Sequence, residues 1–233
     1  MILEVCANSF QSAKNAQLAG AHRIELCQEL SVGGVTPSFG LLKSVLSELA
    51  IETFVLIRPR SGGFCYSDTE FEIMKQDIIQ CKNMGCHGLV SGVLLDNGHV
   101  DMARTKALIA LSKPLPFTFH RAFDCVPDPI QSLKDLITLG VSRVLTSGQQ
   151  PSAENGLDLL KQMDRVTGND VVIMPGSGIH PENVHLFKDA GFKEIHASAS
   201  VVLPQDKNQP PFDVTLQTVS NIKTVQSILK QIQ

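Results

Sequence analysis

Apolar residues fall into two alternating kinds of run along the chain. Short runs at 2–6, 54–58, 116–120 and 171–175 have the length and alternation of strands, whereas Leu41, Leu42, Val45, Leu46 and Leu49 mark one face of a helix. A phrase made of a helix end, a glycine, a short link and an apolar run recurs four times. It reads Leu18-Ala19-Gly20 before Ile24-Glu25-Leu26, Met84-Gly85 before Leu89-Val90, Leu139-Gly140 before Val144-Leu145, and Ala190-Gly191 before Ile195. Glycine after a helix supplies the left-handed backbone that ends it.

Interleaving both sets predicts eight strands near 2–6, 23–27, 54–58, 88–92, 116–120, 143–147, 171–175 and 195–198. Their spacing of roughly 28 residues is that of one βα unit. Ser67-Asp68-Thr69-Glu70 reads as a capping box, and Pro37, Pro129 and Pro181 fall where first-turn prolines are tolerated. Strict alternation points to an α/β chain folded as one (β/α)8 TIM barrel over residues 1–233, closed by a helix near 221–232. A doubly wound sheet would place a glycine-rich phosphate fingerprint after the first strand, and Cys6-Ala7-Asn8-Ser9-Phe10 is not one. The polar, proline-bearing stretch 203–212 is expected to be the long loop before the last helix.

A barrel turns apolar strand residues outward to the helices and leaves any polar ones inside. Leu3, Val5, Ile24 and Leu26 then face out, and Glu4, Cys6, Arg23, Glu25 and Cys27 face in. Arg58 ends strand three, His120 strand five, and His196 and Ser198 strand eight. Phe117 and Phe119 face one layer, Thr118 and His120 the other. Glu4, Glu25, Arg23 and Arg58 could satisfy one another as an internal network, or form a polar pocket at the C-terminal mouth. The pocket is favoured, because the polar groups gather at C-terminal strand ends and continue into the loops, where barrel enzymes keep their sites.

The composition changes little in this picture. Hydrophobic residues make up 43% and charged residues 18%, and 20 basic against 23 acidic residues leave a net charge of -3. No basic run marks a nucleic-acid or membrane partner, no span is apolar enough to cross a membrane, and no secretion signal opens the chain. A cytoplasmic setting follows, in which the six scattered cysteines are expected to be free thiols. A small barrel is also compatible with a homodimer or higher homo-oligomer.

Three kinds of chemistry are then open. Glu25, His120 and Asp124, with Arg58, are candidate catalytic groups for a small anionic or phosphorylated ligand. Arg60, Arg121, Gly176, Ser177 and Gly178 are candidate anion binders, two as forked guanidiniums and three as a small-residue turn before a helix. Cys6 and Cys27, on neighbouring strand ends about 5 Å apart, are candidate Cu(I) ligands, since soft thiolates suit that ion.

The motifs taken together resemble the CutC family, named for copper homeostasis. The match runs through Cys6-Ala7-Asn8-Ser9, Arg23-Ile24-Glu25-Leu26-Cys27, Gly33-Gly34 with Thr36-Pro37-Ser38, Ile57-Arg58-Pro59-Arg60, Phe64 with Tyr66, Phe119 to Asp124, Arg143 to Gly148, and Met174-Pro175-Gly176 to His196. The resemblance implies a cytoplasmic single-domain barrel with Cu(I) at Cys6 and Cys27, and brings no assigned reaction. Two departures stand out. Arg60-Ser61-Gly62-Gly63-Phe64 lacks the loop aspartate of the family pattern, and Ser177 replaces the middle of a glycine triplet.

Overall fold

The computed structural model describes residues 1–168, 170–204 and 216–233, so most of the expected loop 203–212 lies outside the described residues. Eight parallel strands form the sheet: β1 (Ile2–Ala7), β2 (Arg23–Leu26), β3 (Glu52–Leu56), β4 (Gly88–Ser91), β5 (Phe117–Phe119), β6 (Arg143–Thr146), β7 (Val172–Pro175) and β8 (Glu194–Ala197). The helices between them are α1 (Phe10–Ala19), α2 (Phe39–Glu48), α3 (Asp68–Asn83), α4 (Met102–Ser112), α5 (Pro129–Leu139), α6 (Leu157–Thr167) and α7 (Val184–Asp189). A short antiparallel hairpin, β9 (Ser200–Val202) with β10 (Thr218–Ser220), then leads to α8 (Ile222–Ile232).

Local chemistry sets the boundaries. Ser67 and Glu70 form the reciprocal capping box at the start of α3, and Asp128 caps α5 with Pro129 in its first turn. Gly20 and Gly140 end α1 and α5 at φ of 89° and 79°. Strand β3 begins two residues before its expected start, so that Arg58 lies just beyond the strand.

Strand order is β7-β6-β5-β4-β3-β2-β1-β8, and the two ends meet through a single parallel bridge between Gly176 and His196. The ring is thus a nearly closed (β/α)8 barrel. Glycine is required at that seam, because a Cβ on Gly176 would come within 2.5 Å of the Leu145 side chain and 3.2 Å of His196 Cβ. Leu3, Val5, Ile24, Leu26, Phe117 and Phe119 belong to the main core between sheet and helices, while Cys6, Cys27, Phe54, Leu56 and Val90 form a separate cluster. Phe54 is fully buried opposite Gly88, where any Cβ would strike its ring at 2.5 Å.

Candidate metal centre at the mouth of the barrel

Polar groups on the inward face separate into two levels. Arg23, Arg143 and Glu194 each open a strand, and they form the lower level with Glu4. Arg23 Nε donates to Glu4 Oε2 at 2.5 Å and its Nη2 to Glu194 Oε2 at 2.5 Å; Arg143 grips Glu194 through Nε and Nη2 at 3.0 and 3.2 Å. Both guanidiniums lie against the Phe54 ring, 4.6 and 5.0 Å from its centroid. Two cations and two carboxylates balance, as burial demands. The internal network is therefore real, with Glu194 and Arg143 in the places where Glu25 and Arg58 were expected.

The upper level lies at the strand ends. A cavity of about 340 Å³ opens there, lined among others by Cys6, Glu25, Arg58, His120, Ser177 and His196. Strand pairing sets Cys6 beside Glu25 and Glu4 beside His196. Cys6 Sγ lies 3.7 Å from Cys27 Sγ and 3.5 Å from Glu25 Oε2. Ligand atoms of Cys6, Glu25 and His196 all fall within 4.8 Å of one another.

Electrostatics bias Cys6, Glu25 and His196 toward their protonated forms. The hydrogen bond shared with Cys27, then burial and the Glu25 charge, push the Cys6 thiol well above its usual range. Burial raises Glu25, and the nearby His196 only partly offsets it. Burial alone would lower His196, but its hydrogen bond to Glu4 Oε1 at 2.8 Å and the charges of Glu25 and Glu4 raise it. Glu4, which burial would raise, is instead drawn down to about 2 by His196 and Arg23. With its Nδ1 turned to Glu4, His196 presents Nε2 to Glu25 at 3.7 Å. A carboxylate that fixes a ring in this way is the usual support of a metal-binding histidine.

Other predicted residues are placed differently. Arg58 lines the cavity, but its Nη1 donates to Val32 O and Gly34 O and its Nη2 to Gly62 O, so it pins the loops after β2 and β3. Arg60 points away, paired with Glu70 and with backbone carbonyls of its own loop. Asp124 accepts from Arg121 Nε, Thr146 Oγ1, Ser147 N and Gln149 N, which commits it to tying the loop after β5 to the loop after β6. Arg121, Ser177 and Gly178 line the cavity, whereas Gly176 gives its N–H to Thr146 O. His196 stands at the centre of the cluster, although strand-by-strand reading assigned it no role. Its alternation with Ile195 at the end of the eighth strand was the available signal.

A barrel whose polar C-terminal mouth gathers a thiol, a carboxylate and an imidazole, with the buried Cys27 thiol behind Cys6, defines a class: a (β/α)8 protein with a candidate metal centre. The profile of the CutC family matches residues 1–201, and the chain belongs to that family. It is 48% identical to a family protein CutC of Photorhabdus laumondii, over 86% of this chain and 81% of that one. It is 42% identical to the human copper homeostasis protein cutC homolog, over 99% of this chain and 90% of that one. A solved CutC structure from Streptococcus agalactiae superposes with a TM-score of 0.80 at 33% identity, over 85% of this chain and 98% of that one.

Proposed function

We propose that this protein handles Cu(I) in the cytoplasm, binding the ion as cargo at Cys6 and Cys27 with His196 and Glu25 as further donors. The observation that carries the reading is the pair of buried sulfurs 3.7 Å apart, of which Cys6 lies beside a carboxylate and an imidazole at the wall of an open cavity. Soft thiolates favour Cu(I) over hard cations. The copper-homeostasis name of the human relative supports the same assignment. All six cysteines are free, in keeping with a reducing compartment, and none of the helices is long and apolar enough to cross a membrane among the described residues.

Binding must displace thiol protons, so Cu(I) affinity should rise from about pH 6 to about pH 8. The direct test is competition with a Cu(I) chelator. Cys6→Ser combined with Cys27→Ser should abolish tight binding, and Cys125→Ser, at an exposed thiol, should leave it intact. Wild-type affinity in the double-serine protein would refute the assignment.

A further inference from the structure

Donors remain at the mouth once the thiol cluster is accounted for. His120 is only 5% exposed, and its Nδ1 accepts the Ala122 N–H at 3.2 Å, which puts the ring proton on Nε2. That Nε2–H has no acceptor among the described residues. Native proteins keep few such groups. The ring is deliberately housed: a Cβ on Gly92 would come within 2.7 Å of it, and Phe64 packs on it with centroids 4.9 Å apart. The same Phe64 ring lies 5.2 Å from the Arg58 guanidinium carbon.

The loop after β7 adds a second set. Ser177, Gly178 and Ile179 all line the cavity; the seam bridge to His196 takes the Ser177 N–H, whereas the backbone N–H groups of Gly178 and Ile179 meet no acceptor among the described residues. Ser177 and Gly178 hold φ of 87° and 71°, so the turn is left-handed even at a residue with a side chain. Consecutive unpaired N–H groups are a common means of holding an oxyanion, and barrels often hold phosphate after their seventh strand. Arg58, which has no carboxylate partner among the described residues, brings positive charge to the same cavity. Its volume of about 340 Å³ suits a small metabolite rather than a polymer.

We propose that the mouth binds a small metabolite carrying a phosphate or carboxylate group, held by the backbone N–H groups of Gly178 and Ile179, with His120 Nε2–H donating to a second oxygen. Neither Cys6 nor Cys27 takes part, so this site and the copper assignment stand or fall separately.

The test is an amide-resolved NMR titration of the isotope-labelled wild-type protein with inorganic phosphate, and in parallel with malonate. Saturable shifts at Gly178 and Ile179 and at the His120 ring, complete by about 10 mM, are expected for at least one anion. The tighter of the two identifies the group the site prefers. His120→Phe keeps a ring against Phe64 but removes the N–H, and should weaken binding by about tenfold. The proposal is overturned if neither anion gives a saturable shift, or if the shifts gather around Lys188 at the opposite end of the barrel. Equal affinity in His120→Phe and wild type would overturn the role of His120. Should that variant fail to fold, the wild-type titration decides alone.

Discussion

The lower and upper levels of the barrel interior treat buried polarity in opposite ways. Below, Glu4, Arg23, Glu194 and Arg143 pair at 2.5–3.2 Å, although the buried Arg143 Nη1 is left without an acceptor among the described residues. Above, His120 Nε2 and the amides of Gly178 and Ile179 lack partners among the described residues, and Cys6 and Glu25 are pushed toward their neutral forms. Glu4, Arg23 and Glu194 below and Cys6, Glu25 and His120 above are all buried, so side-chain burial does not distinguish the levels. What does is whether the protein supplies the partner or leaves that place to a ligand. Buried polarity that is complete in itself reads as scaffold, and buried polarity that is incomplete reads as a site.

The strongest way to break this contrast is to unbalance the lower level. Arg23→Met would leave Glu4 and Glu194 without their shared cation and should destabilise the fold by about 3–5 kcal/mol in urea denaturation. A loss below about 1 kcal/mol would show that the layer is not scaffold.

The next effect uses the two histidines of the mouth, which titrate in opposite directions. Burial, reinforced by the Arg58 charge, lowers His120 to about 3, so its contribution to stability is present above pH 6.5 and fades as pH falls from 6.5 toward 3. His196 is raised, so its contribution is whole below pH 6.5 and fades as pH climbs through the raised value. His120→Phe should therefore flatten the decline in stability between about pH 6 and about pH 5 by a kcal/mol or more, whereas His196→Gln should flatten the decline on the alkaline side. Matching slopes in the two variants would erase the distinction.

Asp124→Asn should have the smallest effect, about 1–2 kcal/mol, because it weakens one charge-assisted tie among several between two loops. Thermal unfolding with and without Cu(I) would measure it, and the ion's contribution should be unchanged.

Repetition made the barrel legible in the sequence. Four helix-ending glycines and the alternation of Leu3-Glu4-Val5-Cys6 against Arg23-Ile24-Glu25-Leu26 carry strand count, direction and facing. Chemistry on a strand end was legible for the same reason, which is how Cys6, Glu25, Arg58 and His120 come to line one cavity. Partners remote in the chain were not. Glu194 meets Arg23 across 171 positions, and His196 meets Glu4 across 192, through pairing of the first strand with the last. Loop side chains were hardest to place. Arg60 and Asp124 look as reactive as Arg58 and His120 in sequence, and only the folded loops show that nearby groups already engage them.

Glu4 touches both levels, with Oε2 on Arg23 and Oε1 on His196. Rigidity of the framework and orientation of the imidazole thus share a single codon. Drift there cannot relax one property while sparing the other, and an engineer seeking to retune the mouth should begin from some other position.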